Sequence, residues 1–400
     1  MQAQVNYVLN PSFEQYSRCP RLLNQIAFAN HWNSIDTLWS PDTSVAGPLC
    51  MPDYCNACAS YGEASLPSNQ YFHHYARTGN GAVEIFMLID SATDPGVPDG
   101  HSYLQGRLSP SLIASQSYCV TFYVTLEDGS GYAVDKIGAY LDDGSIDIGQ
   151  NAANCYQAQT AFTPQILCSG IINDTLNWVK VQGSFTATGA ESVITIGNFY
   201  SYTSTDKIAV DYSSLSMYGG SLYLIDDVSV ITSDAVADAG PDGLVSPGSD
   251  GAFIGTADEG MPCTWYIVGD TVPIGYSGGL KVHPDTTTRY VVVMDLCGNV
   301  TRDTVVVNVA PAGVGTLGFT KEDVKISPNP AKDEVTIQTP ESFSQCGMIR
   351  MYDMLGLQVY ETPISSKTQT VKISSLVNGV YTVQVVTSEG MSVALRLIKE

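Results

Sequence analysis

The chain has 400 residues, too many for one ordinary domain, and a formal net charge of −22. So acidic a surface excludes binding through phosphates, because nucleic acid and anionic membrane surfaces need a basic face. No apolar run reaches the ~20 residues of a transmembrane helix. Hydrophobic residues at 44% are ample for packed cores, while 36 Gly and 23 Tyr suit Thr/Val/Tyr strands joined by Gly/Asn/Asp turns. No long stretch repeats apolar residues at helical spacing, so the chain reads as all-β. Its start, MQAQVNYVLN, has neither the charged nor the apolar region of a signal peptide, and QAQ reads as a stub left behind one.

Ten cysteines among short β signals point to an oxidising compartment. Cys19, Cys50, Cys55, Cys58, Cys119, Cys155 and Cys168 precede residue 234, Cys263 and Cys297 follow, and Cys346 stands alone. An odd seven leaves at least one N-terminal cysteine without a partner in its own region. Cys50-x4-Cys55-x2-Cys58 contains a zinc-type pair, but no second pair accompanies it, so disulfides of open connectivity are expected.

Two Gly/Pro-containing seams, TSDAVADAGPDG (232–243) and APAGVGTLGFTKED (310–323), divide the chain. The expected regions are 1–233, 234–310, a linker at 311–319, and 320–400.

In the first region NPSFEQY (10–16) opens a strand and SLYLIDDVSVIT (221–232) closes the set. Between them lie HSYLQGRL, SYCVTFYVTLE and NWVKVQGSFTATGAESVITIGNF. Alternation places Leu224, Asp226, Val228 and Val230 on one face, and an inward aspartate needs a cation or several donors. The order N-x-S-F-E, Trp, Y-x-V-x-F, W…G-x-F-x-A and D-D-V-S resembles the galactose-binding-like jelly roll of carbohydrate-binding modules. That resemblance implies a structural calcium where first and last strands meet, held by Glu14 and Asp226 with Asp227 as substitute; hard oxygen ligands suit that ion.

NQYFHHYAR (69–77) clusters rings that could stack on a sugar. On an alternating strand Phe72 and His74 point one way and Tyr71, His73 and Tyr75 the other, so the latter three form the candidate ligand face. No acid pair for glycoside hydrolysis can be singled out, because DSATDPGVPDG (90–100) and LDDGSID (141–147) read as turns. The chain is not expected to be an enzyme.

The second region reads as short strands at the spacing of a small sandwich. Trp265 on an early strand, beside Cys263, with Cys297 closing a later one, resembles the PKD/immunoglobulin-like modules of secreted bacterial proteins. In such sandwiches those strands are antiparallel neighbours, which implies a Cys263–Cys297 disulfide. GYSGG (275–279) matches a hydrolase elbow, but strand and turn follow it rather than a helix. It reads as a glycine-rich turn.

In the third region apolar residues alternate at Val335/Ile337, Ile349/Met351, Val371/Ile373, Tyr381/Val383/Val385 and Val393/Leu395/Leu397. Pro328 and Pro330 deny backbone donors, so the entry is expected to stay extended and bar the sheet from growing upstream. Pro328-Asn329-Pro330 with Asp333, then YDMLG (with Asp353 and Gly356), NGVY (with Gly379 and Tyr381) and a last strand ending at Lys399 resemble the C-terminal sorting domain of the type IX secretion system of Bacteroidota. This implies an immunoglobulin-like sandwich, passage through the type IX translocon, and handling by a sortase-like peptidase. The whole then reads as a secreted or cell-surface cargo built of jelly roll, immunoglobulin-like spacer and sorting sandwich. It would bind extracellular glycan or surface polymer as an adhesin. The rival from another class is a subunit that self-assembles at the cell surface; a secreted hydrolase comes third.

Overall fold

The computed structural model describes residues 6–35, 52–59, 62–69, 72–89, 100–146, 157–210, 220–246, 249–310, 324–339, 347–354, 356–386 and 392–400. They form strands, with two single-turn 3-10 helices at Ile26–Phe28 and Tyr202–Ser204. Residues 1–312 make one compact unit and 313–400 a second.

The first unit begins with twelve strands: β1 (Trp32–Ser34), β2 (Asp53–Asn56), β3 (Gly81–Ile89), β4 (Tyr103–Arg107), β5 (Ser117–Leu126), β6 (Tyr132–Val134), β7 (Ile137–Asp142), β8 (Ile166–Leu167), β9 (Val179–Thr186), β10 (Val193–Asn198), β11 (Lys207–Ala209) and β12 (Gly220–Thr232). Ten of them build two five-stranded antiparallel sheets, ordered β1-β4-β10-β7-β8 and β2-β3-β12-β5-β9. Alternate residues enter the core between the sheets: Val83, Ile85 and Met87 from β3, Val120, Phe122 and Val124 from β5, Ile194 and Ile196 from β10. This is the expected jelly-roll sandwich.

β3 and β12 are buried on both faces, because residues 62–69 and 72–78 cover the outer face of the second sheet. Leu66 and Phe72 from those residues pack on Cys55, Ala82 and Leu224. That cover explains why the two strands read as nearly continuous apolar runs instead of alternating ones.

The alternation expected of the last strand fails at one point. Its register to β5 shifts between Asp226 and Ser229, and Asp227 takes φ 50°. Such a bulge advances the side-chain phase by one. Tyr223, Ile225, Val228 and Val230 therefore share the core face, while Asp226 lies with Leu224 on the outer face.

Six strands follow: β13 (Gly243–Val245), β14 (Ala252–Gly255), β15 (Cys263–Ile267), β16 (Gly279–Val282), β17 (Thr288–Leu296) and β18 (Asn299–Val309). Sheets β13-β18-β17-β15 and β14-β16 enclose Trp265, Val292, Met294, Val305 and Val307. GYSGG is the turn into β16, with Trp265 Nε1 donating to the carbonyl of Ser277 at 2.9 Å.

The expected Cys263–Cys297 disulfide does not form. β15 and β17 are indeed antiparallel neighbours, but Cys263 lies opposite Met294. Cys297 sits beyond the strand end in the Cys297–Gly298 turn at φ 52°, facing away, and bonds Cys119 of β5 instead. Cys263 is a buried free thiol, and Cys119 joins the second sandwich's apolar core. A second disulfide links Cys19 to Cys58, which removes both from any zinc site. Cys50, Cys155 and Cys346 lie outside the described residues.

The second unit contains β19 (Lys325–Ser327), β20 (Glu334–Gln338), β21 (Met348–Tyr352), β22 (Gln358–Pro363), β23 (Thr368–Lys372), β24 (Gly379–Val386) and β25 (Ser392–Lys399). Sheets β19-β20-β23 and β22-β21-β24-β25 close over Val335, Ile337, Ile349, Met351, Val371, Ile373, Val383, Val385 and Leu397, the alternating residues of the sequence.

Candidate functional site

The ring-rich segment alternates as expected without becoming a regular strand. Backbone bonds hold it, Asn69 N donating to Phe72 O at 3.2 Å and His74 N to Pro67 O at 2.8 Å. Phe72 is 2% exposed and His74 8%, while Tyr75 is 69% exposed. His73 also faces outward, and Tyr71 lies outside the described residues.

Tyr75 and His73 line a cleft of about 620 Å³ between the jelly roll and the second sandwich. Trp178 joins them from the jelly roll; Tyr266 and Tyr276 come from the second sandwich. An Asp174 turn sets the Trp178 approach, its carboxylate accepting the amides of Leu176 (2.9 Å) and Asn177 (2.8 Å). Those bonds, that from Leu176 foremost, hold the Asp174 carboxyl below its ordinary value. The sole carboxylate on the described lining is Asp295, whose Oδ2 accepts from Lys180 Nζ at 2.5 Å. The rings of the second sandwich carry no local sequence signal that could single them out, since Tyr266 sits in an ordinary strand and Tyr276 in a glycine-rich turn.

Arg77 stands at the back of this cleft. Its guanidinium lies 3.4 Å from the ring centre of Tyr123 and 4.7 Å from that of Tyr276, and it is ion-paired with Asp227. Asp227 Oδ1 also accepts from Ser12 Oγ (2.7 Å) and Thr78 Oγ1 (2.6 Å). Asp226 Oδ2 accepts the amides of Arg77 (2.8 Å) and Thr78 (3.1 Å), and its Oδ1 that of Asp227 (2.7 Å). Burial first, and then the adjoining Asp227 charge, push the Asp226 carboxyl up, against the pull of these amides.

Glu14 is nearby but engaged elsewhere, its Oε1 accepting the amides of Asn80 and Gly81, each at 2.7 Å. Gly79 lies beneath it at φ 60°, where a Cβ would be strained and would displace the Glu14 carboxylate. This donor set does not fit calcium. Both oxygens of Asp226 and of Asp227 already accept protein hydrogens, and the positive charge beside them is a guanidinium. Among the described residues no group of three or more acids, histidines or cysteines is placed to hold a metal ion.

Sequence reasoning missed a further acid group. Asp53 and Glu84 lie opposite one another on β2 and β3, and the Glu84 carboxyl pairs with that of Glu127. All three are buried, and one oxygen each of Glu84 and Glu127 has no hydrogen-bond partner. Burial and the facing carboxyls push both glutamates well above the usual range, and burial pushes Asp53 up to about 7. The signal was present as a lone acid inside the apolar run GAVEIFMLI.

In the second unit the Pro-Asn-Pro segment proves to be a turn, and the strand β19 does precede it, pairing Ile326 with Ile337. The prolines supply no amide, and Asn329 substitutes for the missing backbone pairing. Its Nδ2 donates to Arg396 O at 2.7 Å and its Oδ1 accepts Ile398 N at 2.9 Å. Ala331 N donates to Ile398 O, and Ile373 N to Asp333 O, each at 2.8 Å. In the YDMLG turn Asp353 Oδ1 accepts Leu357 N at 3.0 Å, and Gly356 takes φ 79°, a conformation glycine adopts freely. At Gly379 β24 begins; Tyr381 hydroxyl donates to Val377 O at 2.7 Å, and Lys399 Nζ to Glu400 O at 3.0 Å. The Pro-Asn-Pro part of the motif is thus stitched onto the last strand, while Asp333 bonds beyond β23 and Asp353 acts between β21 and β22.

The chain is thus all-β, with two packed sandwiches and a ring-lined cleft in its first unit and a further sandwich in its second. Residues 325–400 match the family described as the secretion system C-terminal sorting domain. Such a domain marks the chain for export by type IX secretion to the cell surface or extracellular space. No curated protein sequence matches the chain.

Among solved structures, the chain is similar to PorZ, a surface component of the type IX system of Porphyromonas gingivalis. Identity is 18% over 28% of this chain and 15% of that one, with a TM-score of 0.18. It is also similar to the xylan-binding domain CBM22-1 of Paenibacillus barcinonensis Xyn10C (16% identity, 40% of this chain and 78% of that one, TM-score 0.24). A third is the K3 cleaved adhesin domain of Lys-gingipain from Porphyromonas gingivalis (16%, 57% and 99%, TM-score 0.27).

Proposed function

We propose that this chain is a non-catalytic saccharide-binding protein of the cell surface or extracellular space, an adhesin or accessory binding protein delivered by its sorting domain. The reading rests on the cleft, where rings offer flat apolar faces beside amide and hydroxyl edges, the pairing of surfaces that a sugar ring presents. Catalysis is argued against by its acids. Glycoside hydrolysis typically uses two carboxyl groups flanking the bond, and among the described lining residues Asp295 is the one carboxylate, tied to Lys180. The buried pairs Glu84/Glu127 and Asp226/Asp227 are closed to substrate. On the export side, the type IX translocon and a sortase-like peptidase are the partners that would handle residues 325–400. The full chain on a glycan array tests the central reading: saccharide binding that Tyr75→Ala weakens supports it, and an array without signal removes it.

A further inference from the structure

Resting on that saccharide reading, we infer that the second sandwich is half of the binding site, not a spacer, and that the composite cleft selects neutral saccharides. Three cross-links hold the two walls at fixed separation. Cys119 of β5 is bonded to Cys297 of the β17–β18 turn. Lys180 of β9 pairs with Asp295 of β17 at 2.5 Å. The Arg77 guanidinium, 6% exposed, lies against both Tyr123 of the jelly roll and Tyr276 of the second sandwich. Walls held in this way pay little ordering entropy when a ligand enters. Tyr276, 39% exposed, faces the cleft opposite a jelly-roll wall that carries Tyr75. A ligand seated there touches rings from both sandwiches.

Charge decides the ligand class. Among the described residues the lining carries two fixed cations, and each already has an acid: Arg77 has Asp227 and Lys180 has Asp295. Neither is available for a carboxylate, sulfate or phosphate without breaking a pair. The net charge of −22 repels polyanions at longer range. What remains is stacking and neutral hydrogen bonding, which fits uncharged pyranose chains.

Affinity electrophoresis of the full chain distinguishes the outcomes, with neutral xylan, galactan and glucan as one set of probes and polygalacturonate and heparin as the other. The expected result is retardation by a neutral polymer only, weakened about tenfold by Tyr75→Ala and by Tyr276→Ala, roughly the worth of one aromatic contact. Tyr276→Phe keeps the ring and should bind like the parent, which separates loss of stacking from loss of fold. Retardation weakened by Tyr75→Ala but untouched by Tyr276→Ala would return the site to the jelly roll alone and overturn the composite cleft, leaving saccharide binding intact. Preference for polygalacturonate or heparin would overturn the neutral class. No retardation by any polymer would remove the saccharide reading and this inference with it.

Discussion

The guanidinium of Arg77 lies 4.7 Å from the ring centre of Tyr276 while its charge rests on Asp227, so one side chain serves an acid site and an inter-sandwich contact together. An arginine suits this because its plane stacks on a ring while its edge donates to a carboxylate. Removing it leaves buried acids without a cation, which costs about 3–5 kcal/mol where such pairs have been broken. Arg77→Ala should therefore lower the melting temperature strongly, and Arg77→Lys should rescue little of it. A chelator should leave the parent's melting temperature unchanged. A chelator-induced drop, reversed by calcium and absent in Glu14→Gln, would put a cation where the guanidinium lies.

The Cys119–Cys297 bond spans a sequence separation of 178, worth about 5 kcal/mol of denatured-state entropy in the chain-closure picture. Replacing both cysteines by serine should lower the melting temperature of the 1–312 unit and expose the 232–243 seam to protease. Peptide mapping without reductant should recover Cys119 joined to Cys297 and an alkylatable Cys263. A Cys263–Cys297 peptide would contradict the register of Cys263 opposite Met294.

What was legible in the sequence was what periodicity encodes. Residues 72–75 alternate as expected, and the C-terminal core is the alternating set around Tyr381, Val383 and Val385. The odd count of seven cysteines before residue 234 already required at least one partner elsewhere or a free thiol, and Cys119 found its partner at Cys297. What escaped depended on departures from regularity. A bulge after Asp226 turned that side chain to the other face, and a two-residue turn swung Cys297 off its strand. The cleft was invisible because its second wall comes from residues about 200 positions downstream of the first, with no pattern to link Tyr276 to Tyr75.

The buried carboxyls Glu84, Glu127 and Asp53 make stability depend on pH in a stated direction. Their folded pKa values are raised, so the folded state holds protons that the unfolded chain releases. The contribution is whole below the unfolded value near 4 and is lost as pH rises, for Asp53 through about 7. Asp128 adds negative charge beside Glu127, and His74, whose pKa burial lowers, offers little compensation. Melting temperature should fall from pH 5 to pH 8. Glu84→Gln should flatten that slope and raise the pH 8 value by about 2–4 °C, the equivalent of ~1 kcal/mol. An unchanged slope in Glu84→Gln would mean that the pair does not share a proton.

Asn329 offers a test of what the sorting motif is for. Flanked by two prolines without amides, it provides both a donor to Arg396 O and an acceptor for Ile398 N, and so ties the turn to β25. Two such bonds at a partly solvated edge contribute about 1–2 kcal/mol together. Asn329→Ala removes both, whereas Asn329→Asp keeps the acceptor and loses the donor. Hydrogen exchange at Ile398 should accelerate in Asn329→Ala and much less in Asn329→Asp. If the translocon reads the folded sandwich with its last strand in place, the secreted fraction should follow the same order, with the shortfall retained in the periplasm. Unchanged exchange at Ile398 would refute the stitch itself. Accelerated exchange with normal secretion would show that export reads some other feature of residues 325–400.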